Sequence, residues 1–142
     1  MPSAAPGVAR RKQTQWAAQF SVAGELCKRN YQVSFTMGHN TPLADLSCVS
    51  PNGKMFRVDT KRLATPNSWL LTRKASTENL YYILVYVPET EANRYFVLSQ
   101  EEANALVAAD TWSSRQKVGT SAEGFSFKAA FPFENAWHKL PS

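Results

Sequence analysis

Two alternating runs meet at a tight turn, and this hairpin restricts the fold more than any other feature of the sequence. ADLSCVS, residues 44–50, leads into Pro51-Asn52-Gly53, and KMFRVDTKR, residues 54–62, leads away from it. Apolar and polar residues that alternate on both sides of such a turn are typical of an antiparallel β-hairpin. The pattern therefore predicts a sheet with one apolar face and one polar face in this part of the chain.

The turn allows two strand registers. A two-residue type I′ turn at Asn-Gly would place Asp45 opposite Thr60. A type I turn at Pro-Asn, with the glycine in a bulge, makes a three-residue loop and places Asp45 opposite Asp59. Because proline is favoured at the second position of a type I turn, we expect the three-residue loop.

In that register the hairpin carries an acid pair on its polar face. The polar face holds Asp45, Ser47, Arg57, Asp59 and Lys61, and the apolar face holds Leu46, Cys48, Phe56 and Val58. Two carboxylates in directly opposed positions have Cβ atoms about 5 Å apart, and like charges so close are unfavourable. Lys61 can neutralise one of them, and a Mg²⁺ ion, which takes oxygen ligands, can neutralise both. The backbone carbonyl of Thr60 is a further candidate ligand for that ion.

The rest of the chain predicts a single mixed α/β domain over residues 11–142, after a mobile N-terminus at 1–10. A helix is expected to about residue 29, with Trp16, Phe20, Ala23 and Cys27 as its buried stripe and Asn30 as its stop signal.

Strands are expected at 31–37, 80–87 and 94–99, the second of them central. A capping box of Ser99 and Glu102 starts a helix to about residue 109, and 133–140 could form a short closing helix. Residues 63–79 read as irregular, and Trp112 and Trp137 read as core residues.

The positive charge of the chain is concentrated in its first half. Residues 1–76 carry eleven Lys and Arg against three acids, whereas the whole chain has a net charge of +5. Such a basic half favours a polyanionic partner, although a solvated basic surface has the same composition. The candidate residues for binding nucleic acid are Arg10, Arg11, Lys12, His39, Ser47, Arg57, Arg62, Arg73 and Lys74. His39 also has an ordinary interpretation as a solvated loop residue.

Several other classes of protein are excluded or disfavoured by the sequence. No apolar run approaches the roughly 20 residues that cross a bilayer, and the first residues lack the apolar stretch of a secretory signal. Two cysteines are too few for a disulfide framework and are badly spaced for a zinc site, and we expect a cytoplasmic protein. Walker, nucleophile-elbow and dinucleotide motifs are missing from the sequence.

Asp45 together with Asp59-Thr60-Lys61 resembles the two-part signature of the PD-(D/E)XK nuclease superfamily, which includes restriction enzymes and Holliday junction resolvases. GELCKRNYQVSFTMG, just before, is similar to the first helix of that superfamily, with its glutamate Glu25, and to its first strand. The resemblance covers residues 19–62, roughly a third of the chain. Ala44 stands where the signature has proline, and residues 63–79 lack the helical pattern that usually follows.

The resemblance implies a restriction-endonuclease-like core: a helix, three antiparallel strands, a crossover, a further parallel strand and C-terminal helices. It also implies Mg²⁺-dependent cleavage of DNA, with Mn²⁺ as a substitute. Asp45 and Asp59 would be metal ligands, Lys61 the base or charge stabiliser, and Glu25 an auxiliary ligand. Cutting both strands of a duplex would call for a homodimer. The alternatives are an inactive nucleic-acid-binding module of the same fold and a protein-interaction or accessory subunit.

Overall fold

The computed structural model describes residues 7–36, 45–119 and 122–142, without the side chains of residues 7–12. Its main elements are α1 (Gly7–Lys28), β1 (Gln32–Phe35), β2 (Leu46–Val49), β3 (Met55–Leu63), β4 (Trp69–Leu70), β5 (Leu80–Tyr86), β6 (Arg94–Ser99), α2 (Gln100–Ala109) and β7 (Gly124–Phe125). Short 3₁₀ segments cover Ser113–Arg115, Phe127–Phe133 and Trp137–Lys139. None of the described helices is long and apolar enough to cross a membrane.

A five-stranded mixed sheet in the order β1-β2-β3-β5-β6 forms the centre of the protein. The first three strands are antiparallel neighbours, β5 lies parallel to β3, and β6 lies antiparallel to β5. β5 is the nearly continuous apolar run of the sequence, and it is buried because both faces of the sheet are covered there. The predicted mixed α/β fold with a parallel crossover is confirmed.

The hairpin of β2 and β3 has the three-residue loop. Leu46 lies opposite Val58 and Cys48 opposite Phe56, which is the register that the Pro-Asn-Gly turn predicts. The N–H of Gly53 donates to the carbonyl of Ser50 at 2.9 Å, and Gly53 has a φ of 85°. A side chain at that φ would be strained, so glycine is the residue that lets the loop close.

The sheet separates two hydrophobic clusters. α1 covers one face, and its cluster includes Val22, Leu26, Leu46, Phe56, Val58 and Trp137. α2 and the 3₁₀ segment Phe127–Phe133 cover the other face, and their cluster includes Trp69, Leu80, Tyr82, Leu84, Phe96 and Phe125. α2 begins with the predicted capping box: the Ser99 hydroxyl accepts from the N–H of Glu102, and the Glu102 carboxylate accepts from the N–H of Ser99.

The crossover from β3 to β5 contains no helix along its described residues 64–79. It carries β4 instead, which pairs with β7 in a separate two-stranded sheet. Trp69 of β4 is fully buried, with its ring stacked on Phe127. The buried indole and the pairing of β4 with β7 hold the crossover against the sheet. They take the place of the packing that a crossover helix would supply.

The buried stripe predicted for α1 is wrong apart from Ala23. Trp16 and Phe20 are 42% and 60% exposed, and Cys27 is exposed. The face that contacts the sheet carries Ala18, Gln19, Val22, Ala23 and Leu26. Small and branched side chains let the helix approach the sheet closely, whereas the larger aromatic rings lie along its margin.

The ends of the sequence-predicted elements shift by a few residues. α1 ends at Lys28, and Asn30 has the left-handed φ of 68° that was expected of the stop residue. The closing segment is a short 3₁₀ turn at Trp137–Lys139 rather than a longer helix. Trp137 is a core residue as predicted, but Trp112 is 63% exposed and the prediction for it is wrong.

Candidate active site

Asp45 and Asp59 lie together at the end of the hairpin remote from its turn. Asp45 immediately precedes β2, and its N–H donates to the carbonyl of Val58 at 3.0 Å. Its carboxylate Oδ2 accepts two bonds of 2.8 Å from Thr60, one from the backbone N–H and one from the hydroxyl. Asp45 is also close enough to Asp59 to raise the pKa of the Asp59 carboxyl group. Asp45 is therefore bonded to Thr60, which the two-residue turn would place opposite it. It also lies near Asp59, which the three-residue loop places opposite it.

Lys61 lies on the same side of β3 as Asp59, because side chains two positions apart on a strand share a face. Its Nζ is 3.4 Å from Oδ2 of Asp59. The Asp59 side chain is only 15% exposed, whereas that of Lys61 is 34% exposed. The ammonium group therefore has one side against the carboxylate and another open to a ligand.

Asp59 holds its proton more tightly than an ordinary aspartate. Burial, partly offset by the Lys61 ammonium, raises its pKa to about 6, and the hydrogen bond and negative charge of Asp45 add to the rise. A carboxylate that is partly desolvated and faces a second carboxylate favours the arrival of positive charge. Among the features of the described residues, this combination points most directly to a chemical role.

The oxygen donors at this place fit Mg²⁺. That ion is held in proteins by one or two carboxylates together with waters and substrate phosphates. Asp59 in β3 and Asp45, which directly precedes β2, supply the two carboxylates, and the hairpin holds the backbones of both. Within the described residues, no group of three or more His, Cys, Asp and Glu side chains is placed to hold a metal. In the described part of the chain, a cation here would have two carboxylates as side-chain ligands, with backbone oxygens, water or substrate as further ligands.

Glu25 is not brought to the acid pair. Its carboxylate is paired with Arg29 at 3.1 Å and with Lys28 at 3.9 Å, one turn further along α1. α1 packs on the face of the sheet that carries Val58, and Asp59 points to the opposite face because adjacent strand residues alternate. The role of auxiliary ligand predicted for Glu25 does not agree with this geometry.

Several of the predicted nucleic-acid contacts do lie near the site. Ser47 and Arg57 are opposite each other on β2 and β3, and Arg57 is exposed. Arg62 follows Lys61 and is half-buried. An open cleft of about 240 Å³ beside them is lined by Lys61, Arg62, Leu63, Asn67, Ser68 and Leu70. The end of β3 thus combines basic groups with a surface depression.

Arg73 is a structural residue and not a surface cation. Its guanidinium pairs with the buried carboxylate of Glu123 and donates to the carbonyls of Ser113 and Gln116 at 3.1 and 3.2 Å. Burial alone would raise the pKa of Glu123, but hydrogen bonds from Arg73 and from the N–H of Gly119 outweigh it and lower that pKa. The prediction that Arg73 binds a nucleic-acid backbone is therefore wrong.

The remaining predicted contacts are placed only in part. Lys74 is exposed, and its carbonyl accepts from the side chain of Asn104 at 2.9 Å. Arg10, Arg11 and Lys12 belong to α1, but their side chains lie outside the described part of the chain, and so does His39. The contacts of these residues with nucleic acid remain predictions.

Tyr82 is a neighbour of the site that the sequence did not reveal. It lies opposite Asp59 in the parallel pairing of β3 and β5, within the run 80–87 that the sequence predicts only as a central strand. The register between the parallel strands β3 and β5 would have identified it. The sequence does not give that register, because the crossover between the two strands has no regular pattern.

Comparison with known proteins shows a likeness to a solved structure. No family model and no curated protein matches the chain. The solved structure of a bacterial homing endonuclease, I-Ssp6803I, is similar with a TM-score of 0.57 and 16% sequence identity. The match covers 90% of this chain and 88% of that one. This likeness shows that nearly the whole chain has the mixed α/β fold of that endonuclease.

Proposed function

We propose that this protein is a Mg²⁺-dependent endonuclease that hydrolyses phosphodiester bonds in DNA, with an active site of the PD-(D/E)XK type. The observation that carries the proposal is the grouping of Asp45, Asp59 and Lys61 at the end of one hairpin, with Lys61 3.4 Å from Asp59. The resemblance of these residues to the nuclease signature supports it. The fold shared with a homing endonuclease supports it as well.

The residues have distinct roles in this proposal. Asp45 and Asp59, with the backbone carbonyl of Thr60, would hold Mg²⁺ or Mn²⁺. When bound, such an ion supplies Lewis-acid stabilisation of the charge on the phosphoryl group and makes water more acidic. The Thr60 N–H and hydroxyl keep the Asp45 carboxylate in one orientation. Lys61 donates to the scissile phosphate or orients the attacking water, since its ammonium is partly exposed beside Asp59.

The DNA would lie along the end of β3. Arg57 and Arg62 flank the acid and the lysine along β3, and in this proposal they would contact phosphates on either side of the scissile one. The cleft beside Lys61 and Arg62 gives the phosphodiester chain a path past the ammonium group. The net charge of +5 favours association with DNA at low ionic strength.

Plasmid nicking tests the proposal. Supercoiled DNA would be incubated with the wild type, Asp59→Ala and Lys61→Ala, each with Mg²⁺ and with EDTA. The wild type should nick only with Mg²⁺, and both variants should lose at least about a hundredfold in rate because each removes a group from the reacting centre. Glu78→Ala and Lys117→Ala remove exposed charges elsewhere and serve as matched controls. Equal nicking by the wild type and the two site variants would contradict the proposal.

A non-catalytic DNA-binding module is the second candidate, and the position of Glu25 favours it. With that carboxylate held by Arg29, the described site has two acids, which leaves fewer fixed ligands for a metal. Salt-sensitive DNA binding, without cleavage under Mg²⁺ or Mn²⁺, would select this function over the enzyme.

We also propose a homodimer, which would provide two sites for the two strands of a duplex. The exposed rings of Trp16 and Phe20 are stacked, with their centroids 5.8 Å apart. The ring centroid of Phe20 is also 5.3 Å from that of Phe35 on the edge strand β1. Such a group of exposed aromatic rings at a sheet edge suits burial against a second copy. Light scattering should show a dimer for the wild type and a monomer for Phe20→Ser. Met55→Ser, also at an exposed apolar residue, should leave the mass unchanged.

A further inference from the structure

The hydroxyl group of Tyr82 is buried without a hydrogen-bond partner among the described residues. The residue as a whole is only 1% exposed. Burying a hydroxyl without a partner is unfavourable, and phenylalanine would fill the same space without that penalty. An unpartnered buried donor therefore calls for a reason specific to this protein.

The position of Tyr82 suggests the reason. Asp59 and Tyr82 are directly opposed on neighbouring parallel strands, so their side chains leave the sheet on the same face. Burial raises the pKa of Tyr82 to about 12, and the negative charge of Asp59 adds to this rise. The phenol thus stays protonated at ordinary pH, where it is a donor, and it lies within the electrostatic reach of that carboxylate.

Asp59 has a charged neighbour besides Tyr82: Nζ of Lys61 lies 3.4 Å from its Oδ2. An ionised carboxylate has two oxygens with about four lone-pair sites, so it can accept from several donors at once. An Asp59 carboxylate that bound a divalent cation would therefore still have a site for a further donor.

We propose that Tyr82 is a positioning residue of the active site, whose hydroxyl donates to the Asp59 carboxylate from the buried side when Asp59 binds a divalent cation. This inference rests on the proposed function. Carboxylates that bind metals are commonly held by such second hydrogen bonds, and losing one weakens metal binding about 10–100-fold.

The test compares Tyr82→Phe with Tyr81→Phe in the 142-residue chain. Both changes remove one hydroxyl from β5, but Tyr81 lies on the other face of the sheet, where its ring packs edge-to-face on Phe56. Calorimetric titration with Mn²⁺ should show at least a tenfold loss of affinity for Tyr82→Phe and no loss for Tyr81→Phe. Without Mn²⁺, Tyr82→Phe should unfold at the same temperature as the wild type or higher, because the hydroxyl lacks a partner in that state.

Two results would overturn the inference alone. One is equal Mn²⁺ affinity in the wild type and Tyr82→Phe. The other is a clear loss of stability in Tyr82→Phe without metal, which would mean that the hydroxyl already has a structural partner. A wild-type protein that binds no Mn²⁺ would refute the proposed metal site, and this inference with it. The wild-type titration therefore separates the failure of the two proposals.

Discussion

Replacing Asp59 with asparagine should stabilise the protein while abolishing its proposed activity. Burial, together with the nearby Asp45, raises the pKa of Asp59 from 3.8 to about 6 even though Lys61 opposes the rise. The difference of about 2 pKa units corresponds to about 3 kcal/mol by which ionised Asp59 destabilises the folded state at pH 8. Asparagine has nearly the same shape without the charge, and its amide can donate to Asp45.

The sign follows from proton linkage. The folded state binds the Asp59 proton more tightly than the unfolded state does, so stability falls as pH rises from about 4 to about 6 and then levels off. The stability of Asp59→Asn should not fall in this way, because asparagine does not ionise. Its advantage over the wild type should be small below pH 4 and should reach about 3 kcal/mol at pH 8, which is on the order of 10 °C in melting temperature for a domain of this size.

Urea unfolding at 25 °C, measured at pH 4, 6 and 8, tests this prediction. Glu78→Gln removes an exposed carboxylate and should differ from the wild type by less than about 0.5 kcal/mol at every pH. The reasoning is refuted if Asp59→Asn is no more stable than the wild type at pH 8, or if the difference between them does not change with pH. Nicking by the same variant should be lost, since stability and activity place opposite demands on this carboxylate.

Three further predictions concern the crossover and the DNA-binding surface. Arg73→Ala should lower the free energy of unfolding by about 3 kcal/mol, because it leaves the buried carboxylate of Glu123 unpaired; little change in urea unfolding would contradict the buried pair. Gly124→Ala should cost about 3 kcal/mol in the same assay, because a Cβ there would overlap the carbonyl oxygen of Trp69; a cost below about 1 kcal/mol would refute that close approach. Arg57→Ala should reduce the salt dependence of DNA binding by about one charge in fluorescence anisotropy, and an unchanged slope would exclude a phosphate contact.

Local chemistry made the hairpin and the second helix predictable. The Pro-Asn-Gly turn determines a loop length, the loop length determines the register, and the register determines which residues share a face. Leu46 and Val58 are therefore opposed as expected. Ser99 and Glu102 are only three residues apart, so their capping box could also be identified without knowledge of the fold.

Long-range packing explains what the sequence did not predict. The stripes at Trp16 and Phe20 and at Val22 and Leu26 both have helical spacing, and periodicity alone does not choose which one meets the sheet. Arg73 and its partner Glu123 are separated by 50 positions, and no local pattern links them. The same holds for Tyr82, whose place beside the acid pair depends on the parallel register across the crossover.

The central claim is that Asp45 and Asp59 together bind a divalent cation beside Lys61. The most direct test is a crystal of the wild-type protein soaked in Mn²⁺, with anomalous scattering measured near the manganese edge. The proposal predicts one anomalous peak in contact with carboxylate oxygens of both Asp45 and Asp59, at the roughly 2.1–2.3 Å typical of small divalent cations. A soaked crystal with no peak at these carboxylates would contradict it.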